Sequence, residues 1–223
     1  MVATGWMARV GTACGALYVI IGVIATGGGG DSNAPNLGAD GATIARYYAA
    51  HTYSQHLHLE AFAILLQVFF IAALWGVLRR AEPAPAWLSA AAFGAGIAAV
   101  AMKLSSAPAM FALVYHAQPL EPNLARALFE MNSFAFFVTW YLQAALLLAV
   151  TALSFAYRAL PLWLGVPAGL IAVGLLVAVV FAATNLIVVP ELLWLLWVVV
   201  TSVYLTIRQG NPSRSDPEAN LKI

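Results

Sequence analysis

Residues 56–80 read HLHLEAFAILLQVFFIAALWGVLRR. From Ala61 to Leu78 no side chain is charged, and the run closes on Arg79 and Arg80. A helix needs about 20 largely apolar residues to cross about 30 Å of hydrocarbon, and cations at the end of such a run favour the headgroup layer. The stretch therefore predicts a membrane-spanning helix, with Glu60 and Gln67 placed where polar groups are costly. The rest of the chain has the same character. Of its 223 residues 63% are hydrophobic and 9% charged, with a mean hydropathy of +0.87. A soluble domain carries about 25% charged residues, so a water-soluble globule is excluded. The expected fold is an all-α integral membrane protein.

Five further runs resemble the first, giving spans at about 6–26, 56–78, 87–115, 123–157, 161–184 and 190–208. The first stops at the Gly27 to Gly30 run, whose backbone entropy opposes a helix. Pro83 and Pro85 turn the chain before Trp87, and Pro108 is expected to interrupt the third span. Asn123 after Pro122 reads as a helix start, and Pro190 suits a first helical position. Residues 1–208 thus form one six-span domain. Its outer loop, 27–55, ends in a short interfacial helix over ATIARYYAAHTYSQ, and the polar tail 209–223 is expected to be disordered. Arg9 before an apolar run also fits a cleaved signal peptide, but the run is long enough to be kept as a true span.

Arg9, Arg79, Arg80, Arg158, Arg208, Arg214 and Lys222 fall on one side of this topology, and only Arg46 and Arg126 on the other. The excess of cations marks the cytoplasmic side, so both termini are expected to be cytoplasmic. Trp6, Trp75, Trp87 and Trp163 cluster near the same inner boundary. Gly11 with Gly15, and Gly165 with Gly169, offer small-residue faces for close helix contact.

Depth singles out the polar residues that need explaining. At a rise of about 1.5 Å per residue, Glu60 stands about 28 Å from Arg79 and Lys103 about 24 Å from Trp87, both in the outer part of the bilayer. His56, Glu60 and Gln67 share one helix face, and Asn132, Thr139 and Gln143 share another. Both stripes are expected to face the bundle interior. Glu60, Lys103, Gln67, Asn132, Gln143 and His56 are therefore candidate lining of an outward-facing polar pocket, with Glu60 and Lys103 as its charged pair. The structural alternative is interhelical hydrogen bonding, with Lys103 snorkelling to the headgroups along its apolar stem.

All four histidines, His51, His56, His58 and His116, fall on the outer side. Neutral imidazole ligates zinc, copper or haem iron, so His56, His58 and His116 form a candidate metal set. Against it stands the ordinary role of histidine as an amphipathic headgroup-level residue. There is no CxxCH, HExxH or phosphate-binding glycine loop, and the lone Cys14 excludes an intrachain disulfide. Glu191, next to Pro190, reads as a carboxylate favoured by a helix N-terminus, and Glu130 as the i+4 partner of Arg126. A net charge of +1 argues against a nucleic-acid partner.

The stretches ARALFEMNSFAFFVTWYLQAALLLAVTAL and YRALPLWLGVPAGLIAVGLLVA, with the Gly-rich outer loop, the IARYYAAH segment and the turn at Leu160, Pro161, Trp163, Leu164 and Gly165, resemble the six-span membrane proteins of actinobacteria known only as a domain of unknown function. The resemblance runs from Gly5 to Arg208 and implies the same six-span fold in a bacterial plasma membrane, but no catalytic residue. Three function classes follow. The first binds or transports a small molecule or ion through the polar cavity and is not an enzyme. The second is a membrane oxidoreductase holding a metal or haem on the outer histidines. The third is an accessory subunit, packing as a homo-oligomer or on a membrane-complex partner.

Overall fold

A computed structural model describes residues 3–26, 34–51, 54–115, 120–180 and 188–210. These residues form seven helices and no strand: α1 (Ala3–Ala25), α2 (Gly41–Ala50), α3 (Ser54–Ala81), α4 (Trp87–Val114), α5 (Pro122–Tyr157), α6 (Leu162–Val180) and α7 (Val188–Gly210). All but α2 are long and apolar enough to cross a membrane. The fold is a helical membrane bundle. Residues 181–184, expected in the fifth span, and the tail beyond Gly210 lie outside the described residues.

The six long helices close into a ring. Contacts run from α1 to α3, α3 to α4, α4 to α5, α5 to α6, α6 to α7 and α7 back to α1. One end of the ring carries Arg79 and Arg80 in the last turn of α3 and Arg208 in the last turn of α7. There the Arg9 Nε donates to the Gln209 carbonyl at 3.3 Å, tying the start of α1 to the end of α7. Trp6, Trp75, Trp87 and Trp163 are exposed at this arginine end. The opposite end carries α2, whose Ile44 and Ala45 bury against Leu113, Ala125 and Phe129 of α4 and α5.

Because lipid and core are equally apolar, hydrophobicity does not mark the inward faces of these helices; small and hydroxylated residues do. A Cβ on Gly15 would fall 2.5 Å from the Phe70 ring of α3, and one on Gly11 would fall 3.1 Å from Ala73. On the other side, a Cβ on Gly165 would lie 2.5 Å from the Ser154 Cβ, and one on Gly169 would lie 3.1 Å from Thr151. Both small-residue faces are thus consumed by contacts within the chain. Between α1 and α7 the Ser202 hydroxyl accepts from the Ala16 N–H at 2.9 Å and donates to the Thr12 carbonyl. Those two backbone groups are four residues apart, so the hydroxyl inserts into the helical ladder and joins the two helices. Thr151 donates to both the Leu147 and Gly165 carbonyls, and Trp197 Nε1 donates to the Leu164 carbonyl, closing α5, α6 and α7 in the same way.

Pro108 does not interrupt α4, which runs unbroken from Trp87 to Val114. The proline is exposed, so its ring points away from the bundle. The adjacent Ser105 and Ser106 hydroxyls donate to the Met102 and Lys103 carbonyls at 2.8 and 2.9 Å, within the same turn.

The start of α4 has an unusual cap. Ala86, at φ 53°, provides no side-chain bond. Buried Glu82 reaches across the Pro83–Pro85 turn instead and accepts from the Leu88 and Ser89 N–H groups at 3.0 and 2.8 Å. Desolvation pushes the Glu82 carboxyl upward, but the bonds from Ser89 and Leu88 and the nearby Arg79 charge outweigh it and hold the group below its usual range. A carboxyl depressed on folding contributes stability that is present above its unfolded pKa and lost as pH falls through the folded value. Glu82→Gln is therefore expected to cost about 1 kcal/mol near neutral pH. Thermal unfolding in detergent at stepped pH should show wild type and variant converging in acid; a constant gap would sink the idea.

Candidate functional site

Between α1, α3, α4, α5 and α7 the bundle encloses a cavity of about 590 Å³, reaching towards the α2 end past Thr26, Pro35, Asn36 and Leu37. Its sides are apolar and aromatic, with Val19, Val23, Ile64, Phe111, Phe129, Phe136 and Phe137 on the lining. Its polar lining includes Tyr18, Glu60, Lys103, Asn132, Ser133 and Glu191.

Lys103 is held from several helices. Its Nζ donates to the Tyr18 hydroxyl of α1 at 3.2 Å and lies 3.8 Å from Glu191 Oε1 of α7. The rings of Tyr18 and Phe136 stand 5.8 and 5.6 Å from the same ammonium, within cation–π range. Both charged side chains of the pair are only 12% exposed. Buried Gln143 of α5 completes the arrangement. With its amide oriented to suit its neighbours, it donates to Glu191 Oε2 at 3.3 Å and accepts from Trp194 Nε1 at 3.0 Å. Four helices thus meet at one ion pair.

Glu191 is the carboxylate at ion-pair distance from Lys103, which is held inside the bundle. Glu60 lines the same cavity and acts on that ammonium only at longer range. A helix-terminus role for Glu191 considered α7 in isolation. By the same rise per residue used for the other charges, Glu191 stands about 26 Å from Arg208, level with Lys103 at about 24 Å from Trp87. That match of depth was the signal available in the sequence.

The other candidates divide. Glu60 and Asn132 are on the cavity lining. Gln67 and Gln143 are not: both are 1% exposed and packed in the bundle, and Gln67 Oε1 has no hydrogen-bond partner among the described residues. Glu60 is exposed towards the cavity, and among the described residues no hydrogen bond or ion pair engages its carboxylate. His56 is away from the lining, its Nδ1 2.9 Å from the Ala25 carbonyl. His58 Nε2 lies 2.7 Å from the Tyr115 hydroxyl, so the two rings engage different partners. His116 lies outside the described residues. Among the described residues no three His, Cys, Asp or Glu side chains come together as a metal cluster. Arg126 and Glu130 pair at 2.7 Å on the exposed start of α5, and Cys14 is buried in the apolar core.

No family model, curated protein or solved structure matches the chain. The chemistry of the cavity is therefore read from its own residues.

Proposed function

We propose that the protein is a six-span binding protein of a bacterial plasma membrane, with both termini cytoplasmic, that admits a small molecule from the outer side into the cavity beneath α2. The observation that carries this reading is a cavity of about 590 Å³ in which a carboxylate, an ion pair and a few amide and hydroxyl groups share a mostly apolar lining. Ligand sites have this character: about 300–1,000 Å³, mostly apolar, with a few convergent polar groups that orient the ligand. Polar groups are costly in a membrane bundle unless they serve a pathway or site. As a carrier, the protein in this arrangement would be open outward, since towards the arginine end the ring is filled by Phe70, Leu74 and Leu147.

Thiol labelling tests this directly. In a Cys14→Ala background, Asn132→Cys is expected to react in intact cells with a membrane-impermeant maleimide. Gln209→Cys, at the arginine end, should react only after the membrane is permeabilised. An Asn132→Cys that is inert, or that reacts only after permeabilisation, would overturn the outward cavity.

A further inference from the structure

We propose that the ligand is a hydrophobic organic cation, its positive charge set against Glu60 and its apolar body against the aromatic walls; this rests on the cavity being a binding site. The charges of the cavity are unequally engaged. Lys103 is paired with Glu191 at 3.8 Å and bonded to Tyr18 at 3.2 Å, whereas Glu60 has no hydrogen bond or ion pair among the described residues and shares that ammonium only at longer range. Two carboxylates and one ammonium on the lining leave one negative charge over. A carboxylate among apolar walls is costly without a counter-ion, and a bound cation supplies it. An anion would meet an occupied Lys103 and a repelling Glu60.

Size and wall chemistry decide the kind of cation. A bare metal ion is held by several oxygens at about 2.0–2.6 Å, which a cavity of about 590 Å³ with aromatic sides does not provide. Phe111, Phe129, Phe136 and Phe137 instead put aromatic rings on the lining, and such rings attract cationic groups through the quadrupole and bury hydrocarbon as well. The same attraction already operates between Phe136 and Lys103 at 5.6 Å.

Tetraphenylphosphonium and tetraphenylborate have nearly the same shape and opposite charge, so binding of each to the purified full chain in zwitterionic nanodiscs isolates the sign. Tetraphenylphosphonium is expected to bind saturably at one per chain, tetraphenylborate not. Glu60→Gln should weaken the cation by about tenfold or more, as loss of a desolvated charge partner does. Saturable binding of the borate alone would overturn the cationic ligand while leaving the cavity reading intact, since Asn132→Cys labelling stands apart from either probe. Equal affinity of wild type and Glu60→Gln for the cation would overturn the role of Glu60. Binding of neither ion would overturn the proposal. The comparison of the two ions on wild type holds even if the variant fails to fold.

Discussion

Lys103→Met is expected to destabilise the bundle by about 3–5 kcal/mol, the usual consequence of removing one member of a buried ion pair. Met preserves the length and apolar stem of the side chain, so the loss isolates the charge. Without it Glu191 keeps Gln143 but has no cation, in a site only 12% exposed. The bond from Lys103 to Tyr18 is lost with it, loosening α1 from α4. Lys103→Met with Glu191→Gln should recover part of the loss, because the second change removes the stranded carboxylate. A double-mutant cycle by thermal or denaturant unfolding in detergent measures the coupling. Additive single losses, or a Lys103→Met variant as stable as wild type, would show that the ion pair does not hold the ring. Glu60→Gln is the contrast: it breaks no described contact, so stability should stay close to wild type.

Gly165→Leu is expected to cost about 1–3 kcal/mol or more, as overpacking of a close interface does. Its Cβ alone would lie 2.5 Å from the Ser154 Cβ and 2.9 Å from Ser154 Oγ. The Ser154 hydroxyl is bonded to the Val150 carbonyl and buried, leaving it little room to move. Separating α5 from α6 would also stretch the bond from Thr151 to the Gly165 carbonyl. Gly94→Leu supplies the control, since nothing lies within 4 Å of a Cβ there. Leucine is the better helix former by up to about 1 kcal/mol, so Gly94→Leu should be neutral or stabilising. Equal unfolding temperatures for the two variants would mean that propensity, not close packing, governs these glycines.

The spans were legible because the membrane imposes a length on every crossing helix and collects arginine and tryptophan at its boundary. The short helix before α3 was legible too, since its composition is amphipathic and polar residues precede it. What misled was local reasoning applied to Pro108 and Glu191. A proline removes one hydrogen bond, but in α4 it sits exposed and the helix continues through it. A carboxylate in the first turn of α7 is favoured by the helix dipole, yet here it also meets Lys103 from a helix that is not its sequence neighbour.

By itself the sequence determined the membrane class, the spans and the depth of each buried charge, because these follow from composition and distance along a helix. Only the tertiary structure decided which charges meet. In lipid, apolar periodicity does not say which helix faces stand together, and the order of helices around the ring rests on where glycines and hydroxyls allow close approach. That order lets Lys103 of α4 meet Tyr18 of α1 and Glu191 of α7 across the interior of the ring, and leaves Glu60 as the cavity-lining carboxylate that no hydrogen bond or ion pair among the described residues engages.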